Sequence, residues 1–301
     1  MIGEGSTLVI GGSGQIGQSL VRSLARRGRH ATSTFCRNAR LGGVHLDASD
    51  PREVAAVFGR IGPAVVINAV NTPGGADACE RDPALAHRYH FESGRHLADA
   101  ARGRGARFVQ ISTDYVFDGT GGPYAESDPT WPLSQLGRAR RDLEKYVSEH
   151  ADDALIVRTS FVFSWTLESK TSNFVMQIID SVRDQSPIRV PLDQIGNVTY
   201  APNFADALVE LIEKRVTGLF HLAGVTRCSK YEWAMKAADT FGLDSSLIRG
   251  VTTAELGQAA PRPLESGFML DKVRRVLERT RLMSLDEGLA AMRDRMLSAS
   301  E

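Results

Sequence analysis

Three glycines near the start of the chain are spaced to bind a phosphate-containing ligand. Gly11, Gly14 and Gly17 follow a short apolar, β-branched run and lead into a helical pattern. Glycines in this arrangement let the chain turn sharply, let the backbone approach a pyrophosphate, and let the helix pack closely on its strand. Free N–H groups at the helix start attract phosphate, so Gln15 and Ile16 are expected contacts as well. The loop predicts a dinucleotide site; its structural alternative is a turn that binds nothing.

A second group of residues places a hydroxyl, a carboxyl and a phenol side by side. Thr113, Asp114 and Tyr115 directly follow the apolar run that predicts the fifth strand. Ligands gather at the carboxyl ends of parallel strands, so these groups are candidates for proton transfer. A desolvated Asp114 acts as an acid or base, whereas a solvated one only caps a turn. Tyr115 reaches the same cleft by strand alternation, either as an acid or as an aromatic that packs or stacks on substrate.

Residues at the ends of other strands are expected to complete the cofactor site. The predicted second strand ends near Arg37, without the acidic residue that usually binds the ribose hydroxyls of NAD. An arginine there favours NADP(H) over NAD(H), although a solvated surface side chain explains it equally well. The remaining expected cofactor contacts follow the third and fourth strands: Asp47, Ala48, Ala69, Val70 and Asn71.

The elements that position these residues alternate between strand and helix. Apolar runs that predict strands lie at residues 7–10, 30–35, 44–47, 64–70 and 107–111. Amphipathic patterns between them predict helices, including a long one from Pro83 to Arg104, while the polar segment from Asn71 to Asp82 predicts a loop. This alternation predicts an α/β fold built on a doubly wound, Rossmann-like parallel sheet.

Two units are expected to share a cleft. The dinucleotide-binding domain is predicted over residues 1–160 plus about 187–222. A smaller C-terminal α/β substrate lobe is predicted over residues 161–186 plus about 223–301. A chain of 301 residues is long enough for this arrangement, in which a small-molecule substrate lies between the two units.

The overall composition excludes several function classes. Lys plus Arg and Asp plus Glu both number 36, so the balanced charge gives no reason to expect nucleic acid or an anionic membrane as partner. Cys36, Cys79 and Cys228 lack the spacing of a zinc site or a disulfide framework, and no metal is predicted. We see no export signal and no apolar stretch that would cross a bilayer, so a cytoplasmic protein is expected.

Motifs spread over nearly the whole chain carry a family resemblance. They are STDYVFDG at residues 112–119, GPYAESDP at 122–129, RTS at 158–160, NFV at 173–175, DQIGNVTYAP at 193–202, HLAG at 221–224 and PRP at 261–263. In this order and spacing they resemble the signatures of dTDP-4-dehydrorhamnose reductases, which are extended short-chain dehydrogenase/reductases. The resemblance implies NADP-dependent reduction of a ketone in a nucleotide-activated deoxysugar or a related natural-product intermediate.

The helix that follows Pro132 departs from the family's pattern. The family carries a Tyr and a Lys four residues apart, where this chain has Leu136 and Arg140. In the family the Tyr protonates the carbonyl oxygen as hydride arrives, and the Lys holds the ribose and lowers the pKa of the Tyr. Leu136 has no proton to give, and the loss of a general acid costs about 10²- to 10⁴-fold in rate. Arg140 keeps the charge and is expected to hold ribose hydroxyls or a phosphate.

The resemblance also assigns roles to other residues. Thr113 matches the hydroxyl that hydrogen-bonds the substrate carbonyl oxygen, and Tyr115 is the best substitute acid. His90 lies where the family has an Asn that braces the active-site helix, and it is either a proton donor or a core side chain. The expected substrate contacts match or replace family positions and are Phe161, Asn173 and Arg262.

Three functions remain open at this point. The first is a modified oxidoreductase with a rearranged proton donor. The second is a catalytically silent, nucleotide-binding partner subunit, because the regulatory β subunit of methionine adenosyltransferase resembles the same reductases. The third is non-redox chemistry, such as epimerisation, dehydration or cyclisation, with Asp114 or His90 as base. The substrate, any protein partner and a homodimeric state also remain open.

Overall fold

The computed structural model describes residues 6–39, 42–72, 74–165 and 173–298. Within these residues the strands are short, and those at the centre of the main sheet are almost entirely buried. In chain order they are β1 (Thr7–Ile10), β2 (Ala31–Phe35), β3 (Val44–His45), β4 (Val65–Asn68), β5 (Arg107–Thr113), β6 (Ala154–Thr159), β7 (Val162–Phe163), β8 (Ile188–Pro191), β9 (Ile195–Asn197), β10 (Thr199–Tyr200), β11 (Gly218–His221), β12 (Arg227–Ser229) and β13 (Ile248–Val251).

Helices alternate with these strands. In chain order they are α1 (Gln15–Arg26), α2 (Pro51–Ile61), α3 (Gly75–Arg81), α4 (Pro83–Ala86), α5 (Ser93–Arg102), α6 (Gln135–His150), α7 (Phe174–Arg183), α8 (Ala201–Glu213), α9 (Lys230–Phe241), α10 (Thr253–Leu256), α11 (Asp271–Val276) and α12 (Leu285–Ser298). A π-helical segment, His87–Glu92, joins α4 to α5. None of the helices in the described residues combines the length and apolarity that a bilayer span requires.

Seven strands form one sheet in the order β11-β6-β5-β4-β1-β2-β3. Every neighbouring pair is parallel. The strand order reverses between β1 and β4, and in such sheets the crevice at the carboxyl ends of these strands is the usual ligand site. This architecture confirms the predicted doubly wound α/β fold.

The sheet is buried on both faces because its strands are apolar at successive positions. On one face, Val9 of β1 packs with Leu20 of α1 and Leu208 of α8. On the other face, Leu8 of β1 packs with Phe58 of α2 and residues of α5 and α6. Helices on both sides therefore fix the position of the strand ends, where the candidate residues lie.

Two predictions about local structure were wrong in part. The predicted loop from Asn71 to Asp82 contains α3, whose start carries two glycines that weaken a helical pattern. The long helix predicted from Pro83 to Arg104 is broken by the π-helical segment and ends at Arg102. α3 and the π-helical segment both belong to the connection that follows the carboxyl end of β4.

The elements outside the central sheet form a separate core. Strand pairs β7–β10, β9–β12 and β8–β13 lie here. Phe163, Trp233 and Leu289 are fully buried together and tie α9 and α12 to β7. This core supports the side chains that face the crevice from the opposite side.

Candidate functional site

The glycine loop is shaped by close backbone contacts. Gly11 has a φ of +74°, and a Cβ placed on it would lie 2.8 Å from the carbonyl oxygen of Ala69. A Cβ on Gly17 would collide with the carbonyl oxygen of Gly11. The Gly14 amide donates to the same oxygen at 3.0 Å and closes the turn. Only glycine fits at positions 11 and 17, so the loop lies directly against its helix and against the end of β4.

The N-terminus of α1 is open toward the crevice. Gly14 is its N-cap and offers no side-chain acceptor to the first amides of the helix. Gln15 and Ile16 begin the helix, and the Gln15 side chain accepts a hydrogen bond from Ser164 at 3.2 Å. Uncapped amides at a helix N-terminus bind anions, and the glycines leave space for one to approach. The residues present therefore fit the pyrophosphate of a dinucleotide.

Two arginines lie together near the end of β2. The Arg37 guanidinium donates to the Tyr89 hydroxyl at 2.9 Å and lies 5.2 Å from the centre of that ring. Arg88 lies 5.4 Å from the same ring and forms an ion pair with Asp47 at 3.4 Å. The Asp47 carboxylate also accepts from the backbone and side chain of Ser49. Arg88 was missed from the sequence because only the packing of the π-helical segment brings it to β2.

Arg140 ties the ends of two strands together. Its guanidinium is buried and donates to the carbonyl oxygens of Val70 at 2.7 Å and Ile111 at 2.9 Å. Burial lowers the pKa of Arg140 to about 10, so the side chain stays charged at neutral pH. Ala69, Val70 and Asn71 follow β4, and backbone atoms of Ala69 and Val70 lie beside Gly11. Ala48 lies buried after β3, where its carbonyl oxygen is 3.3 Å from His96.

Leu136 lies in an apolar cluster beside Arg140. The buried members of this cluster are Ala76, Cys79, Ala86, Leu136, Ala139 and Ala260. The rings of Phe91 and Tyr115 pack against it. Position 136 therefore presents a methyl-rich surface to the crevice, and the nearest phenol belongs to Tyr115.

His90 is a core residue in this structure. It is buried, and its Nε2 lies 3.0 Å from the Thr72 hydroxyl. Burial, reinforced by the positive charge of Arg140, holds the pKa of His90 well below its ordinary value. A neutral imidazole in this position weighs against the proton-donor alternative and favours the core alternative.

Thr113 and Asp114 form a hydrogen-bonded pair at the end of β5. Thr113 Oγ1 donates to Asp114 Oδ1 at 3.1 Å and accepts from the Tyr115 amide at 3.3 Å. Ser266 Oγ donates to the other oxygen of Asp114 at 3.1 Å. Burial raises the pKa of Asp114 to about 6, against the opposing effect of these hydrogen bonds. The carboxyl group is therefore desolvated, which is the condition for acid–base chemistry.

Tyr115 is half-buried between the apolar cluster and Arg262. The Arg262 guanidinium lies 5.8 Å from the centre of its ring. Burial raises the pKa of Tyr115 to about 12, and the nearby carboxylates of Asp114 and Asp77 add to the rise. A phenol with a raised pKa gives up its proton less readily, so this environment favours the packing or stacking alternative.

The three expected substrate-side residues have different environments. Arg262 forms a 2.8 Å ion pair with Asp77 and donates to the carbonyl oxygen of Ala260. Phe161 has a φ of +44°, a conformation that costs a residue with a side chain about 1–3 kcal/mol. Asn173 caps α7 through its Oδ1 and donates to the Ser164 carbonyl oxygen at 2.5 Å, so its side-chain groups are used within the fold.

Lys230 is a further charged residue of this crevice, and the sequence did not single it out. Its Nζ lies 5.3 Å from the centre of the Phe161 ring. Burial lowers the pKa of Lys230 to about 8, and the charges of Arg262, Asp114 and Asp77 also act on it. A lysine at the first position of a helix opposes the helix dipole, and this was the available sequence signal.

Groups suited to dinucleotide binding and groups suited to proton transfer lie at the same edge of the sheet. The glycine loop, the free amides of α1 and the two arginines suit a phosphorylated dinucleotide. Thr113, Asp114 and Lys230 supply hydrogen-bonding and titrating groups beyond it, with Tyr115 and Phe161 as aromatic walls. Within the described residues, no group of three or more His, Cys, Asp or Glu side chains is arranged to hold a metal ion.

Known proteins resemble this chain over most of its length. The family model described as the RmlD substrate binding domain matches residues 5–297. A dTDP-4-dehydrorhamnose reductase of Streptomyces griseus is 36% identical over 277 residues, which are 89% of this chain and 86% of that protein. Methionine adenosyltransferase 2 subunit beta of Xenopus laevis is 28% identical over 264 residues, which are 85% of this chain and 78% of that protein.

A solved structure shares the architecture. It is a dTDP-4-dehydrorhamnose reductase from Bacillus anthracis in complex with NADP. The two folds agree with a TM-score of 0.87 at 27% identity, over 97% of this chain and 99% of that chain. Coverage of this extent means that the likeness includes the elements outside the central sheet as well as the sheet itself.

Proposed function

The chain belongs to the RmlD substrate-binding-domain family, and from this premise we propose that it is an NADP(H)-dependent ketone reductase. Its proposed substrate is a nucleotide-activated deoxysugar or a related natural-product intermediate. The observation that carries the proposal is that the glycine loop and the Thr113–Asp114 pair lie at the carboxyl ends of β1 and β5, on either side of β4. The relatives whose names describe dTDP-4-dehydrorhamnose reductases support the same substrate class.

The proposed cofactor contacts follow from the shape and charge of the crevice. The pyrophosphate would lie on the loop of Gly11, Gly14 and Gly17 and on the first amides of α1. Arg37 and Arg88 offer two positive charges where a ribose phosphate would lie, and no acidic residue ends β2. These features support NADP(H) over NAD(H).

The proposed chemistry is addition of hydride and a proton to a carbonyl group. When bound, the reduced nicotinamide supplies the hydride. Thr113 donates its single hydroxyl proton to Asp114 in this structure. When a ketone binds, the hydroxyl would rotate and donate that proton to the ketone oxygen instead. Leu136, at the position of the usual phenol, excludes water but donates nothing, so the proton must come from another group in the crevice.

The test is NADPH oxidation with a panel of 4-keto sugar nucleotides. Binding of NADPH and NADH is first measured by calorimetry, with tighter binding of NADPH expected. Turnover of at least one ketone, with one NADPH consumed per alcohol formed, is the expected result. An unchanged NADPH concentration with every ketone, under conditions in which the cofactor binds, would rule out the reductase.

A silent partner subunit is the second candidate, and Leu136 favours it. A protein that only binds nucleotide has no need of a proton donor at this position. The resemblance to the beta subunit of methionine adenosyltransferase 2 of Xenopus laevis provides an example of a relative whose name describes a subunit. This candidate predicts cofactor binding, no turnover, and a stable complex with a second protein.

The two candidates are separated by one pair of measurements. Cross-linking in the source cells, followed by mass spectrometry, identifies a stable partner. Turnover measurements on the isolated chain then show whether that partner is needed. A chain that reduces a ketone alone and sediments without a partner contradicts the subunit function.

A further inference from the structure

Lys230 occupies a position that structural rules disfavour. It is the first residue of α9, next to the N-cap Ser229, whose hydroxyl and the Glu232 carboxylate form a complete capping box. The N-terminus of a helix carries a partial positive charge, so a second positive charge there is repelled. The carboxylate of Glu232 is directed back to the amide and hydroxyl of Ser229. The helix dipole therefore disfavours an ammonium group at this position, and the lysine contributes nothing to the capping of the helix.

The surroundings of the ammonium are apolar on one side. Its Nζ lies 5.3 Å from the centre of the Phe161 ring and 5.9 Å from that of Phe174. Both rings pack on Trp233, which fixes them. Aromatic faces attract a cation but cannot accept its proton. Nζ forms no hydrogen bond or ion pair with any of the described residues.

Three charged groups act on this ammonium from the elements around it. The positive charge of Arg262 opposes that of Lys230, while Asp114 and Asp77 favour it. Backbone contacts connect the start of α9 to Asp114: Ser229 pairs with Ile195, and the Ile195 carbonyl oxygen accepts from the Ser266 amide at 3.0 Å. The Ser266 hydroxyl in turn donates to Asp114, which accepts from Thr113. The start of α9 and the Thr113–Asp114 pair are therefore linked through one short chain of contacts.

The titrating groups of the crevice differ in how readily they supply a proton. Burial raises the pKa of Tyr115 to about 12, and the Asp114 carboxyl group, with a pKa of about 6, is mostly ionised at neutral pH. Burial lowers the pKa of Lys230 to about 8, so its ammonium is largely charged at pH 7 yet more acidic than an ordinary lysine. An acid with a pKa near the working pH is the most effective donor.

We propose that Lys230 is the catalytic proton donor that replaces the phenol missing at Leu136. The inference rests on the proposed ketone reduction and adds the source of its proton. The hydride forms a C–H bond with the carbonyl carbon, and the π electrons of the C=O bond move to the oxygen. A proton from Nζ forms the O–H bond, and Lys230 is left as a neutral amine that regains a proton from water. Thr113 holds the same oxygen.

The first test needs neither cofactor nor substrate. Lysines of the chain are dimethylated with ¹³C-formaldehyde, and the Lys230 signal is assigned by its loss in Lys230→Arg. Its chemical shift is expected to titrate near pH 8, whereas exposed Lys236, whose pKa is raised by Asp286, titrates higher. Asp114→Asn should lower the Lys230 midpoint further, because it removes a negative charge. A Lys230 midpoint at or above that of Lys236 would overturn the proposal.

The second test measures turnover against pH. In the unchanged chain kcat should fall as pH rises through about 8, as the donor loses its proton. Lys230→Met should lower kcat by about 10²- to 10⁴-fold, with little change in NADPH affinity. Lys230→Arg should keep part of the rate and move the alkaline limb to higher pH. Lys236→Met, which changes an exposed lysine of the same helix, should behave like the unchanged chain.

The outcomes distinguish a failure of the donor role of Lys230 from a failure of the proposed ketone reductase function. Turnover that survives in Lys230→Met within about threefold overturns the donor role and leaves the reductase in place. An unchanged chain that binds NADPH but reduces no ketone overturns the reductase and the donor role together. A lowered kcat with an unmoved alkaline limb in Lys230→Arg means that Lys230 only positions other groups, which also overturns the proposal.

Discussion

The cofactor end and the substrate end of the crevice obey different structural rules. At the cofactor end, each unusual position has a local reason: Gly11 takes a positive φ that glycine tolerates, and Gly17 leaves room for a carbonyl group. At the substrate end, three positions carry features that lower the free energy of unfolding. Phe161 is held at a positive φ, Asp114 is a buried carboxyl group, and Lys230 is a cation at a helix N-terminus.

The comparison of the two ends shows which groups lower the free energy of unfolding. Groups whose burial disfavours their charge lower the free energy of unfolding, and natural chains keep them mainly at functional sites. Substitutions at the two ends should therefore have opposite effects on stability.

The largest effect is expected for Gly17→Ala at the cofactor end. The added methyl group meets backbone atoms of Gly11 and Gly12, which cannot move aside as a side chain would. Overpacking of this kind lowers the free energy of unfolding by about 1–3 kcal/mol. Because the loop must shift to make room for the methyl group, NADPH affinity should also fall about 10- to 100-fold. Calorimetry measures the affinity and urea unfolding measures the stability.

Gly59→Ala is the matched control for that substitution. Gly59 lies in α2, and a Cβ there would meet only a side-chain atom of Arg104 at 3.7 Å. It should stabilise the chain by about 0.5–1 kcal/mol and leave NADPH binding unchanged. Equal NADPH affinity in both variants would contradict the assignment of the loop.

At the substrate end, Lys230→Met should stabilise the chain at pH 7. Burial lowers the pKa of Lys230 from 10.5 to about 8. This difference limits the increase in the free energy of unfolding of the variant to about 3 kcal/mol, and we expect an increase of about 1–3 kcal/mol. The lowered pKa means that the folded chain loses stability as pH falls from above 10.5 through about 8. The advantage of the variant should therefore be full at pH 7 and fade toward pH 10, as urea unfolding at both values would show. A destabilised Lys230→Met variant at pH 7 would contradict this account.

Asp114→Asn should also stabilise the chain, by a smaller amount. Burial raises the pKa of Asp114 from 3.8 to about 6, so the folded state loses stability as pH rises through this interval. Asparagine has no charge to bury but accepts fewer hydrogen bonds, and we expect a net gain of about 1–2 kcal/mol at pH 7. Thermal unfolding between pH 4 and pH 7 measures it. A variant with the same pH dependence as the unchanged chain would argue against the raised pKa.

The smallest expected effect distinguishes the two cofactors. Arg37→Ala should weaken NADPH binding about tenfold, because it removes one of two charges near the proposed ribose phosphate. NADH, which lacks that phosphate, should bind both proteins equally. A parallel loss for both cofactors would mean that Arg37 supports the fold through Tyr89 rather than recognising the phosphate.

Local patterns of the sequence predicted the fold and the position of the glycine loop between β1 and α1. The apolar runs and the glycine spacing describe neighbours along the chain, so the sheet and the loop could be inferred from them. The helix at Gly75–Arg81 was missed because its glycines signal a turn.

The substrate end depends on contacts between distant segments. Lys230, Asp114 and Arg262 influence one another only in the folded chain, because they belong to segments far apart in the sequence. No spacing rule connects them. Burial, which lowers the pKa of Lys230 and raises that of Asp114, is likewise a property of the folded chain and not of the residues alone.

Arg140 links two strands at the edge of the crevice. Its guanidinium donates to the carbonyl group of Val70, just after β4, and to that of Ile111 in neighbouring β5. An ammonium lacks the planar fork that holds both oxygens at once. A lysine at position 140 would therefore leave one of these carbonyl groups without its charged partner and loosen the sheet where its ligands gather.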